Sequence, residues 1–169
     1  MILVIEIAAV IILVFCLSYV IKYGILLTVK HDADKAFGEL FAVLPKLYEA
    51  VITLFSTQDA LSEEDRTLAE NTKTLIFKAL NFSVAKDGNE RIIAYANSIL
   101  DNTEKFIEIA AEKSYTGINA GQYNSLLEGF NKTKKHYNDC AKKLRHYIDV
   151  FPTSFFARVK KIKTMDYMN

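Results

Sequence analysis

The sequence opens with an apolar run, "MILVIEIAAVIILVFCLSYVI", in which Glu6 is the only charged residue. Twenty helical residues span about 30 Å, the thickness of the hydrocarbon core of a bilayer. The run has neither the basic n-region nor the small-residue cleavage site of a signal peptide. We therefore predict a transmembrane helix with its span at about residues 2–21. A buried helix of a soluble protein is the alternative.

Basic residues flank one end of this run. Lys22, Lys30 and Lys35 follow it, and no Lys or Arg precedes it. The positive-inside rule then predicts an N-terminus outside the cell (inner) membrane and a cytoplasmic body. Glu6 is either a functional carboxylate within the membrane or, as we favour, a residue that reaches the outer interface.

Beyond the run, apolar residues recur at helical spacing, and no segment alternates with period two. The first stripe extends from Phe37 to Phe55, and the span is expected to continue into it. Pro45 lies inside the stripe and is expected to kink the helix. "STQDALSEED" predicts a turn with Ser62 as the N-cap of a second helix. Gly88 marks the predicted break before a third helix.

The fourth helix is predicted from about Ala120 to Val150. Its apolar residues form a heptad seam of Phe130, Thr133, Tyr137, Cys140, Leu144, Tyr147 and Phe151. Four amphipathic helices with short links indicate an antiparallel four-helix bundle over residues 30–151, preceded by a membrane anchor and juxtamembrane helix at 1–29. The predicted fold class is therefore all-α, with an N-terminal transmembrane helix continuing into the bundle. An extended coiled-coil dimer is the rival arrangement.

Residues 152–169, here called the tail, are basic and apolar. Residues 131–169 hold 10 Lys/Arg against 3 Asp/Glu, whereas residues 1–130 hold 11 against 17. In an antiparallel bundle the fourth helix returns to the membrane, so we expect the tail to lie on anionic lipid. The predicted interface residues are Phe155, Phe156, Arg158, Lys160, Lys161 and Lys163. Alternatively, the two phenylalanines fold back and cap the bundle.

Three stretches resemble the LemA family, bacterial proteins with an N-terminal membrane helix and a cytoplasmic-side antiparallel helical bundle. "LPKLYEAV" at 44–51 is similar to the family's proline-containing segment in the first long helix. "YND" at 137–139 and "FPTSFFA" at 151–157 are similar to its Tyr-Asn and Phe-Pro segments. The matching positions are Pro45, Leu47, Glu49, Tyr137, Asn138, Phe151, Pro152 and, near the end, Tyr167. The resemblance implies a structural role for them.

The chain also departs from the family pattern. Gly38-Glu39 stands where the family has a basic pair, and Leu144-Arg145 stands where it has a second Tyr-Asn. The chain would therefore be a divergent member. The resemblance implies the fold and the membrane placement.

No residue pattern points to catalysis, to a cofactor or to a metal. His136 and Cys140, one helical turn apart, are at most half of a zinc site, and Cys140 belongs to the apolar seam. Phosphate-binding loops, nucleophile elbows and Glu-x-x-His pairs are absent from the sequence. Nucleic acid is not an expected partner, because Tyr137 and Tyr147 belong to the seam and are not free to stack on bases. Cys16 and Cys140 indicate no disulfide framework, which suits a reducing compartment.

These observations favour a non-enzymatic scaffold that organises or remodels the membrane through self-assembly or recruitment of a partner protein. Its expected partners are the bilayer, with an anionic inner leaflet, and further copies of the chain. The alternative is a membrane-tethered sensor that binds a ligand or a partner protein. An enzyme is a third hypothesis, and His136 with Cys140 is its only support.

Overall fold

The computed structural model describes residues 2–56, 61–113, 115 and 120–168, with the side chains of all of these except residues 2–5 and 8. Every regular element in these ranges is an α-helix. The helices are α1 (Ile2–Leu54), α2 (Glu63–Ala79), α3 (Val84–Glu112), α4 (Gly121–Asp149) and α5 (Thr153–Val159). The all-α class predicted from the apolar spacing is therefore confirmed.

The chain divides into two compact units. The first unit holds α1 up to Lys35 together with Asp139–Met165. The second unit holds Ala36–Asn138 together with the residues that follow Met165.

α1 is 53 residues long and contains both the predicted span and the first body stripe. It is long and apolar enough to cross a membrane, with a mean hydropathy of 2.4 over its most apolar window. The helix continues through Pro45 to Leu54. Pro45 has no N–H to donate to the carbonyl of Phe41. Because Pro45 lies on an exposed face of α1, water can satisfy that carbonyl.

In the second unit, the predicted stripe, which extends from α1 to Phe55 just beyond it, is buried except for the half-buried Phe41. Its buried members, each at most 3% exposed, include Phe37, Leu40, Leu44, Leu47, Tyr48, Val51 and Phe55. The ring of Phe55 meets that of Phe106 in α3 edge to face, with centroids 4.6 Å apart. The ring of Phe37 meets that of Tyr137 in α4 at 5.6 Å. Such aromatic pairs stabilise a core beyond the area they bury, and these two bring α3 and α4 against α1.

α2 and α3 pack against each other. Ser62 is the N-cap of α2, as predicted, and its hydroxyl oxygen accepts the N–H of Asp65 at 3.3 Å. The buried Asp65 carboxylate accepts hydrogen bonds from the Lys113 ammonium and the Tyr115 hydroxyl, both at 2.6 Å. Because Asp65 lies at the start of α2 and Lys113 follows the end of α3, the two helices are antiparallel.

The predicted break at Gly88 is present and precedes the long part of α3. α2 ends at Ala79 and α3 begins at Val84, whereas Gly88 lies inside α3 with φ 74° and ψ 160°. The carboxylate of Asp87 accepts the N–H of Ser83 at 3.0 Å and so stabilises the first turn of α3. Since glycine adopts a positive φ readily, Gly88 separates this first turn from the rest of α3, as the sequence predicts, although α2 itself already ends at Ala79.

In the first unit, two residues of the α4 seam are buried and Tyr147 is half-buried. Leu144 is 1% exposed and Cys140 is buried, as predicted. The end of the seam was predicted wrongly, because Phe151 is 71% exposed. α4 ends at Asp149 and the chain turns before α5, so Phe151 no longer follows the helical spacing.

Candidate functional site

The tail contains a short helix, α5, that follows Pro152. In a helix, residues three and four apart share a face. One face of α5 carries Phe155, Phe156 and Val159, and the other carries Ser154, Ala157 and Arg158. α5 therefore separates large apolar side chains from small and basic ones.

The apolar face of α5 packs on the end of the predicted span in α1. The ring centroid of Phe156 lies 4.1 Å from that of Tyr19 and 4.9 Å from that of Tyr23. Phe155 lies farther from Tyr19, at 6.4 Å, and Phe15 stacks on Tyr19 from within the span, also at 6.4 Å. The five rings form an aromatic cluster at the end of the apolar run.

Large apolar side chains on both sides of this aromatic cluster are exposed. Those of the predicted span are 55–67% exposed, and they are Val10, Ile11, Ile12, Leu13, Val14, Phe15, Leu17, Val20 and Ile21. Those around α5 are Phe151, Phe155 and Val159, which are 53–71% exposed. Contiguous apolar surface formed by this many large side chains rarely faces water in soluble monomers. Such surface marks contacts with a membrane or with another protein.

All four predicted basic interface residues are exposed. Arg158 lies on the small-residue face of α5, Lys160 caps its C-terminus, and Lys161 and Lys163 follow it. Thus the predicted aromatic residues and Arg158 lie in α5, and the three predicted lysines lie within four residues of its end.

The positions shared with the LemA pattern fall into two groups. In the second unit, the Tyr137 hydroxyl donates to the carbonyl of Asp166 at 2.6 Å. The Asn138 amide donates to the carbonyl of Met168 at 2.8 Å and accepts its N–H at 3.0 Å. The Tyr-Asn pair therefore binds the backbone on both sides of Tyr167, at Asp166 and Met168.

The remaining shared positions do not join that contact. In α1 of the second unit, Leu47 is buried, while Pro45 and Glu49 are exposed. In the first unit, Phe151 is exposed and Pro152 is half-buried at the turn before α5. Leu47 thus belongs to the core of the second unit, and Pro152 belongs to the turn before α5 in the first unit.

His136 and Cys140 of α4, the pair considered as half of a zinc site, differ in their exposure to solvent. His136 is exposed, whereas Cys140 is buried. Among the described side chains, no three His, Cys, Asp or Glu residues come together in a way that could hold a metal ion.

Tyr19 and Tyr23 are site residues that the sequence reasoning missed. The available signal was their position at the end of the apolar run, where tyrosines of membrane proteins concentrate at the headgroup level. α5 itself was missed because seven residues are too few to display a helical period.

No protein-family model, curated protein or solved structure matches the chain. Its function must therefore be inferred from its own geometry.

Proposed function

We propose that α1 crosses a membrane and that the chain is a non-enzymatic, single-pass scaffold of LemA type. It organises the membrane through self-assembly or recruitment of a partner protein. The observation that carries the proposal is the aromatic cluster, in which Phe156 of the tail meets Tyr19 and Tyr23 at the end of the exposed apolar run. One lipid surface would cover the exposed side chains on both elements.

The exposure of the apolar side chains of α1 favours a transmembrane span and argues against the core helix of a soluble protein. A core helix of the same hydropathy buries its apolar side chains, whereas only 6% of the most apolar window of α1 is buried. Fully burying one large apolar side chain contributes roughly 1.5–3 kcal/mol. Transfer of nine such residues into hydrocarbon therefore supplies a large driving force for insertion.

The distribution of positive charge supports a cytoplasmic body. Lys22, Lys30 and Lys35 follow the span, and four further basic residues lie in or just after α5 in the same unit. Cytoplasmic flanks are enriched in Lys and Arg. Each basic residue near an anionic leaflet contributes about 1 kcal/mol of attraction, so the tail would lie on the inner leaflet.

For the body we propose an antiparallel four-helix bundle. It is supported by three pairwise contacts in the second unit: Phe55 with Phe106, Phe37 with Tyr137, and Asp65 with Lys113. Short links between helices favour antiparallel neighbours.

Self-assembly or recruitment is supported by a second exposed apolar patch. Phe77 and Leu80 at the end of α2 are 58% and 42% exposed, and Val84 at the start of α3 is 41% exposed. The three residues flank one short connection in the second unit. Burying this patch against a neighbouring molecule would stabilise an assembly.

The proposal is tested by the size of the detergent-extracted full chain in electron microscopy and light scattering. We expect particles larger than a monomer, reduced in size by Phe77→Ser combined with Leu80→Ser. Lys78→Ser is the matched control, since Lys78 is exposed on the same turn of α2 and lies outside the patch. A monomeric wild type would contradict self-assembly and leave recruitment of a partner protein as the scaffold's mode of action.

A sensor is the second candidate function. Its support is a cavity of about 200 Å³ between α3 and α4 in the second unit, lined by polar side chains that include Asp101, Glu104 and Asn131. Tyr123 also borders this cavity, and burial, followed by the Glu104 charge, raises its pKa to about 12. A monomeric chain whose thermal stability rises with a bound metabolite would favour this function.

A further inference from the structure

A cavity of about 450 Å³ lies beside α5 in the first unit. Arg158, Lys161 and Lys163 contribute three positive charges to its lining, against the single carboxylate of Asp149. Pockets that bind small molecules commonly measure 300–1,000 Å³. The cavity is therefore large enough for a lipid headgroup.

The amphipathic character of α5 explains why Arg158 lines the cavity. Ser154, Ala157 and Arg158 follow the three- and four-residue spacing of one face of α5, and all three line the cavity. Lys161 lies two residues beyond the end of α5 and also lines the cavity. Phe156 lies on the opposite face, against Tyr19. Packing of the aromatic face on α1 thus holds the basic face toward the cavity.

Lys161 has a backbone conformation that lysine seldom adopts. Its φ is 53°, the only positive φ of a non-glycine residue in the described part of the chain. The N–H of Lys161 bonds the carbonyl of Arg158 at 3.2 Å, and the N–H of Ile162 bonds that of Ala157 at 2.9 Å. This pair of bonds is the Schellman motif, in which glycine usually occupies the position of Lys161. Lysine therefore occupies a position suited to glycine, and Lys161 lines the cavity.

The lining combines charge with apolar surface. Ile148 of α4 and Ile162 after α5 border the cavity beside the three cations. Arginine forms paired hydrogen bonds to phosphate oxygens, and lysine supplies a mobile positive charge. Isoleucine side chains contribute nothing to binding of a free phosphate ion but can contact the glycerol and upper acyl carbons of a lipid.

We propose that this cavity binds the phosphate of one anionic lipid headgroup, with Arg158, Lys161 and Lys163 as the binding residues. The inference rests on the proposed membrane placement and adds a specific lipid site to it. Ile148 and Ile162 contact the lipid below its phosphate. Asp149 limits the net positive charge and weakens binding of the most negative headgroups.

Binding is tested on the detergent-purified full chain, titrated with dihexanoyl phosphatidic acid, dihexanoyl phosphatidylcholine and inorganic phosphate. We expect phosphatidic acid to bind more tightly than the other two. If inorganic phosphate binds as tightly as phosphatidic acid, the cavity is a site for soluble phosphate, and the proposed lipid site is wrong. Equal affinity for phosphatidylcholine would overturn the role of the cations.

Lys161→Gly gives the sharpest variant, because glycine adopts the same φ without strain. The melting temperature should stay unchanged or rise, while affinity for phosphatidic acid falls about tenfold, as for one lost charge-assisted hydrogen bond. Lys142→Gln is the matched control, since Lys142 is an exposed lysine of α4 in the same unit and does not line the cavity. An equal loss of affinity in the control variant would mean that phosphatidic acid is attracted by the overall positive charge and not by a specific site. Asp149→Asn should strengthen binding, and weaker binding in this variant would contradict the charge balance.

The assay separates this inference from the proposed function. Binding in detergent does not require insertion, whereas extraction of cell membranes with alkaline carbonate does test it. Release of the chain by carbonate would overturn the span and leave the phosphate site standing. If the chain stays in the membrane after carbonate treatment and Lys161→Gly binds phosphatidic acid as tightly as wild type, the span stands and the lipid site is wrong.

Discussion

Asp65 contributes to the stability of the second unit only while it is ionised. Hydrogen bonds from Lys113, and then from Ser62 and Tyr115, lower its pKa from 3.8 to about 2. Because the unfolded chain binds the proton more readily, the contribution is complete above pH 3.8 and is lost as the pH falls through about 2.

We expect Asp65→Asn to lower the melting temperature of the detergent-solubilised chain at neutral pH. The difference from wild type should shrink as the pH falls from 3.8 to about 2. Glu64→Gln changes an exposed acid in the same first turn and should leave the melting temperature almost unchanged. A difference between Asp65→Asn and wild type that persists at the acid end would refute the ionic origin of the effect.

At the scale of the element, α4 offers a matched pair of core and surface positions. Leu144 is 1% exposed, whereas its neighbour Lys143 is exposed. Leu144→Ala should lower the free energy of unfolding by roughly 2–5 kcal/mol, through lost burial and a residual cavity. Lys143→Ala should cost well below 1 kcal/mol, as surface changes do. Equal unfolding midpoints in chemical denaturation would mean that the seam does not form the core.

The elements also show how far the sequence predicts the structure. Apolar spacing and capping located α1, α2 and α4, because amphipathic periodicity and an N-cap serine are local signals. The bonds from Tyr137 and Asn138 to Asp166 and Met168 could not be predicted, since their partners lie about thirty residues away in sequence. Only the fold determines which backbone atoms reach such side chains.

The same limit applies to the candidate site. Its basic and aromatic residues were predicted from composition and from the helix stop at Pro152. Their partners Tyr19 and Tyr23 were not predicted, because these contacts join opposite ends of the sequence. The cavity beside α5 depends on the conformation of Lys161, for which the sequence gives no glycine or asparagine signal.

At the scale of the whole molecule, the orientation of the span decides the compartment of the body. In a background of Cys16→Ser and Cys140→Ser, Glu70→Cys introduces a single exposed thiol on α2. A membrane-impermeant maleimide should leave this thiol unmodified in intact cells and modify it after permeabilisation, because the basic flank is expected to be cytoplasmic. Modification in intact cells would reverse the orientation and the compartment.

The central claim is that the tail lies at the membrane surface beside the span. The chain contains no tryptophan, so Phe155→Trp introduces a single fluorophore on the apolar face of α5. In the full chain reconstituted into liposomes, lipids brominated near the headgroup should quench this fluorophore strongly. Phe77→Trp is the control, since Phe77 is about as exposed but lies on α2 in the second unit. We predict strong quenching at residue 155 and little at residue 77, and equal or absent quenching at residue 155 would contradict the account.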